Sequence, residues 1–125
     1  MKRLILPLVG LIAAGTALAY SGRPAIEGAI REAAQAIKRL GEQNHESPCL
    51  GDIEIAASYL SSAATKVHYQ RFALALTDLS YACSELKAIA TTRDWCRDVS
   101  LETVPVMVDA CELKAQLDLL SRVQE

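Results

Sequence analysis

The chain has 125 residues, of which 51% are hydrophobic and 22% charged, with a formal net charge of −2. That length holds one compact domain and no second, and apolar residues recurring along the whole chain exclude intrinsic disorder. The basic residues are scattered, so no positive stripe exists for a nucleic-acid backbone to follow, and nucleic-acid binding is disfavoured.

Residues 1–19 read as a cleaved leader. Lys2 and Arg3 precede an apolar run from Leu4 to Ala14, broken only by Pro7 and Gly10, and Ala17-Leu18-Ala19 places small residues where a signal peptidase needs them. Cleavage is expected after Ala19. The run is too short to cross a hydrocarbon layer about 30 Å thick at about 1.5 Å per residue, so no stable membrane anchor is expected after cleavage. No cysteine follows the cleavage point to carry a lipid. The remaining 106 residues, 20–125, form a single expected domain with 11 basic and 15 acidic residues, a net charge of −4.

The periodicity of this domain is helical throughout. Ile26, Ala29, Ile30, Ala33, Ile37 and Leu40 fall at steps of three and four between charged neighbours, which predicts an amphipathic helix over 24–41, stopped by Gly41 and then Asn44 to Pro48. A second helix over 52–68 carries the seam Ile53, Ala56, Leu60, Ala63 and Val67, with Asp52 as its expected N-cap. The seam fails at Gln70 and Arg71. A third helix over 71–91 restarts it with Phe72, Leu76, Leu79, Cys83, Leu86 and Ala90, so a turn is expected between His68 and Arg71. No Gly or Pro marks that turn, and one kinked helix is the alternative. Polar residues 91–100 then lead to a fourth helix over 103–122, with Pro105 expected at its start and Val106, Ala110, Leu113, Leu117 and Leu120 on its seam. Strand alternation and hairpin dipeptides are absent from the sequence. The fold class is therefore all-α, a small antiparallel four-helix bundle.

Two local patterns invite comparison with known families. Phe72-x-x-Ala75-Leu76-x-x-Leu79-x-x-Ala82 looks like the second helix of a tetratricopeptide repeat. The preceding helix lacks that repeat's Trp and Gly, Lys87 stands where its closing Pro belongs, and no second copy follows, so the pattern is read as ordinary helix-hairpin packing. Ser84-x-x-Lys87 matches the nucleophile motif of penicillin-recognising enzymes, but its companion segments are missing and the chain is too small for that fold.

Cys49, Cys83, Cys96 and Cys111 are an even set in a small exported chain, the composition of two disulfides in an oxidising compartment. Antiparallel neighbours climb equally per residue, so residues equidistant from a turn face each other. Cys83 and Cys111 are equidistant from residue 97 and should pair. Cys49 before the second helix and Cys96 after the third should then meet at one end. Such bridges contribute about 3 to 4 kcal/mol each in the chain-entropy view. No CxxC is present, so neither a metal site nor a redox pair is expected, and no cofactor motif appears. His45 with Glu46 and Cys49, and His68 with Tyr69, are weak polar loci read as solvated surface.

The segment around Arg93, Trp95 and Arg97 stands out: the sole tryptophan between two arginines, on a connection tethered by Cys96. Trp and Arg dominate binding hot spots, and a stapled loop is ordered before it binds. The competing reading has Trp95 packed over the Cys49–Cys96 bridge as a lid on the core. The sequence thus suggests a non-catalytic periplasmic or secreted protein that binds a protein partner, inhibitor-like, immunity-like or chaperone-like. The alternative is an apolar small molecule or lipid held between the alanine-rich seams.

Overall fold

The computed structural model describes residues 22–124; the expected leader at 1–19 lies outside the described residues. Four helices form an antiparallel bundle: α1 (Arg23–Gln43), α2 (Leu50–His68), α3 (Phe72–Thr91) and α4 (Ser100–Gln124), with a one-turn 3-10 helix at Asp94–Cys96 before α4. Among the described residues there is no strand. Successive helices pack side by side, and α4 returns to close against α1, the loosest of the four main contacts. Both disulfides form as the hairpin register requires, Cys49 with Cys96 and Cys83 with Cys111.

The core follows the helical seams, with one rotation. All five seam residues expected in α2 are at most 1% exposed. In α3 the fully buried line is Ala75, Leu79, Ala82, Leu86 and Ile89, whereas Phe72, Leu76 and Ala90 are only partly covered. The reason is that α3 lies between two neighbours. Its centre is lined by alanines that let α2 come close, and Leu76 and Cys83 point sideways to α4, where Leu76 borders the same hollow as Cys111 and Asp118. Larger side chains dominate a hydropathy pattern, so the expected seam followed this edge.

Helix ends account for the other differences. Gly41 does not stop α1; it is buried inside it, where a Cβ would meet Ile53 Cγ2 at 3.2 Å, so its bareness serves the approach of α2. Asn44 ends the helix, its side-chain amide donating to the Leu40 carbonyl at 2.9 Å. Asp52 is not an N-cap. The cap is Cys49, and Asp52 sits in the first turn of α2 with its carboxylate turned to other donors. Likewise α4 begins at Ser100, which puts Pro105 inside the helix rather than at its start. The bond that Pro105 removes would have ended on the carbonyl of Leu101, a residue 83% exposed, so the loss falls on the solvent side of the helix and not in the core.

The turn between α2 and α3 exists without glycine or proline. Gln70 takes a left-handed φ of 60°, while Gln70 N donates to Val67 O at 3.0 Å and Arg71 N to Lys66 O at 2.8 Å. This pairing takes up the last carbonyls of α2 and reverses the chain in three residues. A side chain in that conformation costs roughly 1 kcal/mol, which glycine avoids. Gln70→Gly is expected to raise the unfolding free energy by about 0.5–1 kcal/mol, as read from urea unfolding midpoints.

Near the same turn, Glu27 of α1 accepts from Arg23 Nη1 at 3.2 Å and Arg31 Nη2 at 3.1 Å, and His68 Nδ1 lies 3.2 Å from its Oε1. Burial pushes this carboxyl up. The hydrogen bonds from Arg31 and His68 and their charge outweigh burial and hold it below its ordinary 4.5. The stability that Glu27 carries is therefore complete above 4.5 and is lost as pH falls through the lower folded value. Glu27→Gln should flatten the acid side of the stability profile, which melting temperatures taken from about pH 7 down to about pH 3 will read out.

Candidate functional site

The connection from α3 to α4 is ordered by its own backbone and by what it buries. Arg93 N donates to Ala88 O at 2.9 Å, Cys96 N to Arg93 O at 3.0 Å and Val99 N to Cys96 O at 3.0 Å. Cys96 and Val99 are fully buried, so they anchor the loop in the core while the residues between them face outward. At the facing loop, Ser47 Oγ accepts from Cys49 N at 3.0 Å and donates to Asp98 Oδ1 at 3.1 Å, a second tie beside the Cys49–Cys96 bridge.

Asp52 organises the centre of this surface. Its Oδ2 accepts from Trp95 Nε1 at 2.7 Å and its Oδ1 from Arg93 Nη1 at 3.0 Å, and Cys96 Sγ lies 3.7 Å away. Arg93 also pairs with Glu85 of α3. The hydrogen bond that Arg93 donates to Glu85 raises its guanidinium further above its ordinary value, burial acts against this, and the charges of Glu85 and Asp52 add to the rise. One cation thus joins α2, α3 and the loop.

The three residues expected to bind a partner are therefore placed differently. Trp95 is 51% exposed, its indole N–H fixed and much of its ring free. Arg97 is outside, paired among the described residues only with exposed Asp94 at 3.3 Å. Arg93 is turned inward. Trp95 stands next to the Cys49–Cys96 bridge, whose two cysteines are fully buried.

The row continues along α2 and α3 in residues that sequence reasoning passed over. Asp52, Ile55 and Tyr59 are spaced three and four apart, one position off the buried seam, so they share the face beside Trp95. Ile55 is 48% exposed, and Tyr59 stacks on Tyr81 of α3 with centroids 5.2 Å apart and planes at 23°. An isoleucine and a tyrosine outside a complete core seam were the available clue. Below them, Asp78 accepts from Ser62 Oγ at 2.6 Å and Lys66 Nζ at 2.8 Å, which satisfies the nearly buried carboxylate.

The weaker loci do not assemble. His45 is exposed beside Glu46, whereas His68 is at the opposite end of α2 on Glu27. Ser84 and Lys87 are both exposed. Cys49, Asp52 and Cys96 present ligand atoms within 4.8 Å of one another, but both sulfurs are committed to the disulfide. A hollow of about 330 Å³ bordered by Ala29, Ala33 and Ala36 opens at the surface between α1 and α4, with Glu32, Asp109 and Glu112 at its edge.

Compared with known proteins, the chain matches no family model, no curated protein and no solved structure.

Because Trp95 is the only tryptophan, its fluorescence reports this cluster alone. Asp52→Ala is expected to red-shift and broaden that emission and to lower stability by about 1–3 kcal/mol, the cost of breaking hydrogen bonds to a charged group and leaving Arg93 half-paired. Emission spectra and denaturant unfolding measure the two effects.

Proposed function

We propose that the protein is exported, is non-catalytic, and acts by binding a protein partner through the surface that carries Trp95. The observation that supports this most is a half-exposed tryptophan held on an ordered loop by Asp52 and a buried crosslink. Burying such a ring removes a large apolar area from water, and little conformational entropy is lost because the loop is ordered in advance. Ile55 and the Tyr59–Tyr81 stack extend the apolar area. Arg97 supplies an exposed cation at its rim, and Arg93 positions the loop from behind.

Export into the periplasm or beyond the cell is supported by two disulfides, which persist in an oxidising compartment, together with the leader pattern of Lys2, Arg3 and the apolar run to Ala14. Size and compartment suit an inhibitor-like, immunity-like or chaperone-like partner.

Capture of a binding protein from periplasmic extract by the chain from Tyr20 onward should be lost with Trp95→Ala and weakened several-fold with Arg97→Ala. Both variants should keep native circular dichroism, since neither side chain is buried. Undiminished capture by Trp95→Ala would remove this surface from the proposal.

A further inference from the structure

We infer that Cys83–Cys111, and not Cys49–Cys96, is a site of thiol–disulfide exchange with a dithiol while the protein stays folded. Cys49 and Cys96 are both fully buried and belong to the continuous core. Cys83 is 7% exposed and stands outside that core, and Cys111 is part-exposed. Cys111 also borders an open hollow of about 500 Å³ between α3 and α4, together with Leu76, Ser80, Lys114 and Asp118. A nucleophile has a path from solvent to this bond, whereas the other bond is reached only by unfolding the core around it.

The charges around the two bonds act in the same sense. The attacking group in such an exchange is a thiolate, an anion. Lys114 stands at the edge of the hollow, three residues on from Cys111 in the same helix. Asp118, the carboxylate at that edge, is engaged by Arg122 at 3.0 Å. At the other bond an Asp52 carboxylate oxygen lies 3.7 Å from Cys96 Sγ and repels an approaching thiolate. Burial and charge therefore direct attack to one and the same bond. The step balances as a two-electron transfer. One thiolate of the dithiol bonds to Cys111 Sγ, the bond to Cys83 breaks, and its electron pair stays on Cys83, which takes up a proton. The second sulfur of the dithiol loses its proton and attacks the first, and the pair leaves on Cys111, which is protonated in turn. The dithiol ends as a disulfide and the two cysteines as thiols.

The place of the bond decides what its opening does. Cys83–Cys111 ties α4 to α3 part-way along both helices. Without it α4 is held by the packing of Val106, Ala110, Leu113 and Leu117, while Cys49–Cys96 still closes the loop that carries Trp95. Reduction thus loosens α4 and leaves the Trp95 surface clamped. Neither bond's reach depends on a partner at that surface.

Residues 22–124 contain the whole bundle described above, so the test uses the oxidised chain from Tyr20 onward, treated with dithiothreitol without denaturant. Thiols trapped with iodoacetamide and located by peptide mass spectrometry should appear first at Cys83 and Cys111, at least about tenfold faster than at Cys49 and Cys96. Lys114→Glu, a change at an exposed side chain, should slow this first reduction about threefold at low salt. Thioredoxin held reduced separates the sources of the dithiol: the same two thiols assign the donor to proteins, and reduction by dithiothreitol alone assigns it to small dithiols. The double variant Cys83→Ser and Cys111→Ser stands for the reduced form. Amide exchange in its α4 beyond position 111 should rise on the order of a hundredfold, with Trp95 emission unchanged. Simultaneous appearance of all four thiols, earlier appearance of Cys49 and Cys96, or an undiminished rate in Lys114→Glu overturns the inference. A double variant that loses its helix content, or whose α4 exchanges no faster, overturns it as well.

Discussion

Antiparallel helices that advance equally per residue leave little choice about which side chains meet, and this equal advance governs the molecule. It brings Cys83 opposite Cys111 across the α3–α4 hairpin and draws Cys49 and Cys96 together where two connections meet. Once those sulfurs are joined, the axial register of α2, α3 and α4 is fixed. Alanines at the centre of α2 and α3 and the bare Gly41 of α1 then allow close helix contacts.

The proposed binding surface grows from the same register. Cys96 is pulled into the core, so the residue before it must lie at the surface within reach of the first turn of α2. Asp52 occupies that turn. A carboxylate placed there could have bonded the free amides of its own first turn; both of its oxygens instead accept from Trp95 and Arg93, and no side chain caps α2 at Cys49. Local helix chemistry and loop chemistry compete for one side chain, and the loop takes it.

Much of this is legible in the residues themselves. The α2 seam, the pairing of the cysteines and the break after His68 follow from periodicity and chain symmetry alone. The rotation of α3 does not, because alanine contributes too little hydropathy to outweigh Phe72 and Leu76 even where it marks the tightest contact. Gln70 is equally opaque: its left-handed backbone goes with the two hydrogen bonds donated by its own amide and by that of Arg71, and glutamine announces nothing of the kind. At the Trp95 surface the tryptophan and its arginines are visible as a cluster, but which arginine turns inward depends on Asp52 and Glu85, 41 and 8 residues away. The companion row on α2 is visible only after the buried seam has been drawn, as apolar residues left over beside it.

The covalent map has one asymmetry. The spans closed by the two bridges, 49–96 and 83–111, overlap, so everything from Cys49 to Cys111 belongs to one interlocked ring. Helix α1 lies outside it. Its place is held by Ile26, Ile30, Ile37 and their neighbours and by the ties of Glu27, with no covalent bond to the other three helices beyond the chain itself. The three other helices are tied to one another covalently, whereas α1 is seated by noncovalent packing alone. The crosslinks therefore divide the bundle into a tied trio and one seated helix, and release of α1 is the opening that they do not oppose.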